Sequence, residues 1–309
     1  MTDRVGGRPG RLRPPPGARH GALLPADAEA AARSAAIGRG RGPAADSRAT
    51  AGHDPLVQPL DPDALVHVGP VGTDEAMELA LAPAMLRRAA DGELPEAIHI
   101  YSPTTPAVVF GRRDTRLPGF PTAVAAARRM GFDVAVRASG GRAVAYTQNT
   151  LVIDHVRHDP ASVGRLQERF VTYGQALADA FTALGIDARM GEVPGEYCPG
   201  AHSVNARGVV KLVGTAQRVV KDAWLFSSVI VVEDRLTLQD VLGTVYAALD
   251  LPFDPASVGA VREENPQLTR ADVRNAVAEV WGLDAIAPTP VAGETLDLAH
   301  RLVADHRLA

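Results

Sequence analysis

Three short segments of this sequence carry residues whose types and spacing could do chemistry. The first is Arg137-Ala-Ser-Gly-Gly-Arg-Ala-Val144. Its adjacent glycines let backbone approach a ligand closely and turn N–H groups toward an anion. Arg137 and Arg142 bracket the turn with guanidinium forks suited to phosphate or carboxylate. The same pattern also fits a tight hairpin with two solvated arginines. The second segment is Gly208-Val-Val-Lys-Leu-Val-Gly-Thr-Ala-Gln-Arg218. On a strand, Lys211 shares a side with Val209 and Val213. A lysine on a core-facing side needs an anionic or carbonyl partner, whereas on an exposed side it snorkels. The third is Glu196-Tyr-Cys-Pro-Gly200, a loop holding Cys198, the one cysteine of the chain. A lone cysteine is often an inert buried residue. This one precedes Lys211 by 211 − 198 = 13 residues, so a bend can bring a cation to the sulfur and favour the thiolate. His202 is near enough to act as its base or to be an incidental loop histidine.

Other chemistry has no motif. There is no G-x-x-x-x-G-K-[ST] loop, no G-x-S-x-G elbow and no zinc spacing. His155 and His158 form a pair without carboxylate support, so no metal site is expected. A net charge of -4 over 309 residues gives no reason to expect nucleic acid. No apolar run is long enough to cross a bilayer, and the first sixteen residues lack a signal-peptide core. A single thiol suits a reducing compartment, so the expected location is the cytoplasm, away from the membrane.

Elements must hold these segments in place. Residues 1–60 are rich in Gly, Pro, Ala and Arg without period and read as disordered. Residues 61–309 are patterned and read as one domain. Asp63–Val68, Ile98–Ser102, Ala107–Gly111, Leu151–Asp154, Val209–Val213 and Leu225–Val232 read as strands. Thr73 can cap a helix to about Ala90 that contains Pro83. Thr122–Met130 reads as a helix. Ser162–Leu184 repeats apolar residues from Val163 and Leu166 to Phe181 and Leu184 in steps of three and four. Thr269 with Asp272 makes a capping box for a helix through Trp281, and 293–307 is amphipathic. Val134–Arg137 and Ala143–Tyr146 flank the glycine turn and are expected to pair as a hairpin. The expected fold class is α+β, a mixed, largely antiparallel sheet flanked by helices.

In order and interval, these segments resemble the lipoate–protein ligase and octanoyltransferase superfamily, which includes biotin–protein ligases. The resemblance spans about 64–282. It rests on Arg137–Val144, on Lys211-Leu-Val-Gly-Thr-Ala-Gln217 and on the Gly111-Arg112 pair after a strand. It implies a biotin/lipoate-ligase-like catalytic domain with Arg112, Arg137, Ser139, Gly140, Gly141, Arg142, Gly214, Thr215 and Ala216 at the substrate. Cys198-Pro-Gly200 ahead of Lys211 is most similar to the branch that moves octanoyl groups through a cysteine thioester. That branch implies catalysis by Cys198 and Lys211 without a cofactor, with Lys211 stabilising the oxyanion. The implied partners are the glycine-cleavage H protein, lipoyl domains of 2-oxoacid dehydrogenase E2 subunits, and acyl carrier protein. The alternative within the superfamily is a ligase that activates lipoate with ATP and Mg²⁺. The sequence departs from the family pattern at Ala145-Tyr146-Thr147, where a histidine is common, and at Asp222–Phe226, where a His-Gly pair is common.

Overall fold

Ten strands alternate with seven helices among the described residues of the computed structural model, which are 60–283 and 286–308. The expectation of a disordered 1–60 therefore lies, except for Leu60, outside the described residues. The strands are β1 (Leu65–Val68), β2 (Glu96–Tyr101), β3 (Ala107–Phe110), β4 (Asp133–Val136), β5 (Val144–Tyr146), β6 (Thr150–His158), β7 (Ala188–Met190), β8 (Val204–Ala206), β9 (Val210–Val220) and β10 (Ala223–Val231). The helices are α1 (Glu75–Ala90), α2 (Phe120–Arg129), α3 (Leu166–Ala183), α4 (Arg235–Ala248), α5 (Val261–Glu264), α6 (Arg270–Val280) and α7 (Gly293–Leu302).

Seven strands form the main sheet in the order β1-β2-β6-β10-β9-β8-β7, and three form a smaller sheet in the order β4-β3-β5. In the main sheet only β1 and β2 run parallel; the other pairs are antiparallel. The expected α+β class, with a mixed and largely antiparallel sheet, is the observed one. Strand β2 is buried along its whole length, as a strand covered on both faces must be. On one face Ile98, Ile153, Trp224 and Phe226 pack against Tyr173, Leu177 and Phe181 of α3 and Val273 and Val277 of α6. On the other, Ala97, Val156 and Leu225 meet Leu81, Met85 and Leu86 of α1. The smaller sheet packs its own core, Val108, Phe110 and Ala145, against Leu238, Val241, Leu242 and Val245 of α4.

Three local expectations are corrected. Helix α1 is capped by Asp74, not Thr73, because the Asp74 carboxylate accepts from the Met77 N–H at 3.0 Å. The helix runs on through Pro83. Residues Ser162–Arg165 form a tighter turn ahead of α3, and Val163 and Leu166 there are 70% and 41% exposed. The apolar period continued beyond the edge of the core it was taken to face. Strands β4 and β5 do not form a hairpin. Both flank β3, β4 parallel and β5 antiparallel to it, so the glycine segment is a crossing loop. Helix α4 and strands β7 and β8 were not anticipated at all.

Candidate active site

The crossing loop fixes the first half of the site. It passes over the end of β3 so closely that a Cβ on Gly111 would lie 2.1 Å from the Gly141 carbonyl oxygen. Arg137, only 6% exposed, clamps the loop from beneath. Its Nε donates to the Gly140 carbonyl at 3.0 Å, Nη1 to Val109 O at 3.1 Å and Nη2 to Arg142 O at 2.6 Å. The Arg142 side chain turns away to the buried Asp114 carboxylate at 3.2 Å. Asp114 also accepts from the Gly111 N–H at 2.9 Å, so one acid ties the loop to the turn after β3.

The second half is the loop 193–203. Cys198 sits at its tip with φ 43°, a left-handed conformation costly for a residue with a Cβ and held here from several sides. The Cys198 N–H donates to Tyr246 Oη at 2.7 Å, and that hydroxyl donates on to the Ala143 carbonyl at 2.9 Å. Burial pushes the Tyr246 phenol far above its ordinary value, so it keeps the proton that this relay needs. Lys211 Nζ donates to Glu196 Oε1 at 3.2 Å and to the carbonyls of Tyr197 and Cys198, each at 3.0 Å. Its ammonium also lies 4.7 Å from the centre of the Tyr197 ring. Three donors thus meet three acceptors, the partners that a lysine 1% exposed needs inside the core. Glu196 completes the frame, accepting from the Gly200 N–H at 2.9 Å and the Ser203 hydroxyl at 2.7 Å.

The two loops meet at the sulfur. The Arg142 N–H points at Cys198 Sγ at 3.2 Å, and Arg137 Nη2 lies 3.6 Å from it. Gly141, at φ 101°, makes room: a Cβ there would fall 2.6 Å from the sulfur. Donors aimed at sulfur bond best to its anionic form. The anticipated cation near the thiol is therefore Arg137 with a loop N–H. The Lys211 ammonium sits on the Cys198 carbonyl instead.

Cys198 opens onto a cavity of about 440 Å³. Among the anticipated residues, Arg137, Ser139, Gly140, Gly141, Cys198, Lys211, Gly214, Thr215 and Ala216 line it. Leu79, Ala82 and Pro83 of α1 face Val152 and Val229 of the sheet across it, so its walls are mostly apolar. Two anticipated residues fall elsewhere. Arg142 contributes its backbone, because its side chain is held by Asp114. Arg112 is exposed and lines a neighbouring cavity of about 360 Å³ with Arg87 and Arg218. His202 lines the main cavity, where it stacks on Phe170. His155 is paired with Glu96 at 2.6 Å and His158 with the Ala89 carbonyl at 2.7 Å. No group of three or more His, Cys, Asp or Glu residues among the described residues could hold a metal ion.

Sequence reasoning missed Glu196, Tyr246, Asp114 and Asp154. Glu196 stood in the loop already singled out, two residues ahead of the cysteine. Tyr246 lies on α4, whose apolar residues at 238, 241, 242 and 245 carry a helical period. Asp154 was visible as an acid within an apolar strand.

Comparison with known proteins agrees with this geometry. The family model described as the lipoyl protein ligase A/B catalytic domain matches residues 74–281. An octanoyl-[GcvH]:protein N-octanoyltransferase of Geobacillus kaustophilus is 31% identical over 114 residues, 37% of this chain and 40% of that protein. A lipoyl-[GcvH]:protein N-lipoyltransferase of Listeria monocytogenes is 28% identical over 111 residues, 36% of this chain and 40% of that protein. Each alignment thus spans about two fifths of the relative's length. Among solved structures, lipoate-protein ligase A bound with ATP superposes with a TM-score of 0.61 at 22% identity, covering 78% of this chain and 93% of that one. The bipartite lipoate protein ligase of Thermoplasma acidophilum gives 0.57 at 19% identity, covering 78% and 91%. These likenesses are of fold. With the family model matched along 74–281, the chain belongs to the lipoyl protein ligase A/B catalytic-domain family.

Proposed function

We propose that this chain transfers an octanoyl or lipoyl group from a carrier protein, through a thioester on Cys198, to a lysine of a lipoyl domain. One observation carries the reading: the only thiol of the chain is presented in a left-handed loop conformation to two N–H donors at the wall of an apolar cavity. The relatives named above support it, since they are called octanoyl- and lipoyl-transferases acting with GcvH. The catalytic unit in this reading is residues 61–309.

The thiolate attacks the acyl carbonyl; a sulfur–carbon bond forms and the carbon–nitrogen or carbon–sulfur bond to the carrier breaks. The leaving group departs with a proton. The lysine amine of the acceptor then attacks the thioester, forms the amide, loses its proton and releases the thiolate. Once the sulfur is acylated, the Arg142 N–H and the Arg137 guanidinium are free to bond the oxyanion. Lys211 acts as a positioning residue, holding the Cys198 carbonyl and so the loop. In this reading the Arg142 N–H serves the sulfur and the acyl group is never phosphorylated or adenylated, so the route uses neither ATP nor Mg²⁺. Carriers of this chemistry are the glycine-cleavage H protein, E2 lipoyl domains and acyl carrier protein, and they meet the enzyme in the cytoplasm; no helix among the described residues is long and apolar enough to cross a membrane.

The test is transfer from an octanoylated carrier to an unmodified lipoyl domain. Cys198→Ser is expected to slow it roughly a thousandfold or more, the scale of losing a nucleophile. Near-parent transfer by that variant, or lipoate-dependent ATP–pyrophosphate exchange by the parent, would overturn the proposal in favour of a ligase.

A further inference from the structure

Where β6 and β10 line the cavity beside Cys198, the wall is apolar except at one place, Asp154 and Ser227. Across β6, β10 and β9 its sheet wall is built of successive rows. Val152, Val229 and Gly214 form the row at the Lys211 end, where a Cβ on Gly214 would lie 3.4 Å from Lys211 Cε. Two residues along, roughly 7 Å deeper, the row is Asp154, Ser227 and Ala216. Beyond it come Val156, Leu225 and, on β9, Arg218, whose guanidinium donates to the Ala138 carbonyl at 2.9 Å. A carboxylate thus interrupts the otherwise apolar wall of β6 and β10 at the depth that the middle or far part of an eight-carbon chain would reach.

Asp154 is 5% exposed, and what shows faces the cavity. Its side chain takes one protein hydrogen bond, from the Ser227 hydroxyl to Oδ1. Among the described residues no cation pairs with it: its cross-strand neighbour on β2 is His99, whose Nε2 is bonded to the Gly69 carbonyl at 2.8 Å and whose imidazole burial holds down at about 4. The other nearby ionisable groups are Glu75 and Glu78 of α1 and Tyr101, whose hydroxyl already donates to Glu75 Oε1 at 3.0 Å. Burial lifts the Asp154 carboxyl to about 6, so at neutral pH and above it is largely an anionic acceptor. A plain alkyl chain filling this cavity strips water from that acceptor and returns nothing, which is costly. A chain bearing a donor at this depth restores the bond.

Resting on the reading of Cys198 as the acyl carrier, we infer that this cavity selects acyl chains that carry a hydrogen-bond donor, a hydroxyl, amine or thiol, on their distal half, and that Asp154 with Ser227 reads it. An unsubstituted octanoyl group still enters the cavity and reacts, but more slowly, because it leaves the Asp154 acceptor unpaired.

The experiment offers the full chain N-acetylcysteamine thioesters of octanoate and of octanoates hydroxylated on each of the four carbons nearest the methyl end, at pH 8. Formation of the Cys198 adduct is followed by intact mass. At least one hydroxylated isomer is expected to acylate about tenfold faster than octanoyl, or more. Asp154→Leu, which keeps the branched shape and replaces both oxygens by methyl groups, is expected to reverse that order. The inference alone is overturned if octanoyl acylates at least as fast as every isomer, a result read on the parent protein whether or not the variant folds. It is also overturned if folded Asp154→Leu keeps the parent's preference. If no thioester labels Cys198, the acyl-thioester reading falls and the inference with it.

Discussion

The proposed chemistry gathers on one sulfur atom, and the contacts of Cys198 mostly hold its loop in place. Tyr246 is the plainest case. Its hydroxyl accepts from the Cys198 N–H and donates to the Ala143 carbonyl, so it bridges the cysteine loop to the glycine loop. Tyr246→Phe leaves both backbone groups without that partner. We expect it to lower stability by about 1–3 kcal/mol, measured by chemical unfolding, and to slow acyl transfer as well. An unchanged unfolding midpoint would mean that the bridge carries no weight. The candidate residues that meet at the cavity were legible in the sequence, because Cys198, Lys211 and the Gly140-Gly141 pair announce themselves by type and local spacing. Their partners were not. Nothing local says that the Lys211 ammonium goes to Glu196 and to two loop carbonyls, or that Arg137 rather than Lys211 reaches the sulfur. Those pairings depend on how β9 and the small sheet are placed.

At the scale of elements, helix α1 roofs the cavity and carries buried acids. Glu78 Oε1 accepts from the Val71 and Gly72 N–H groups at 2.8 and 2.7 Å, while Oε2 is buried without a partner. Burial, opposed by those two hydrogen bonds, raises its carboxyl from 4.5 to about 7. Between these values the unfolded chain has released the proton and the folded chain keeps it. Stability owed to Glu78 is therefore present below pH 4.5 and lost as pH rises to 7. Glu78→Gln keeps an acceptor oxygen and removes the titration. Its stability relative to the parent should rise between pH 4.5 and 8, by on the order of 3 kcal/mol at most, in paired urea unfolding series. His99, lowered to about 4 by burial, works in the opposite sense but is common to both proteins. Element types were largely readable: β2, β3, β6, β10, α2 and the Thr269–Asp272 capping box of α6 all follow from period and cap. Pairing was harder to read. A Gly-Gly turn looks the same whether its strands pair or, as here, enclose a third. Strands β7 and β8, three residues each, are too short to show an alternation.

For the whole molecule, the fold places two loops from different sheets against each other, the glycine loop from the small sheet and the cysteine loop from between β7 and β8 of the main one. Neither has a reactive arrangement alone; together they enclose the sulfur at the mouth of the apolar cavity between α1 and the main sheet. That convergence could be anticipated from the resemblance of ordered segments to a family, and the α+β class from the pattern of elements. The depth of the cavity and the acid in its wall could not, since both arise from cross-strand register. The central claim is that Cys198 carries the acyl group. Intact mass spectrometry of the full chain mixed with an octanoylated carrier protein tests it most directly. The account predicts an added octanoyl mass that maps to Cys198, disappears with hydroxylamine and is absent from Cys198→Ala. Transfer to a lipoyl domain with no such adduct at any time, or with the adduct on another residue, would contradict it.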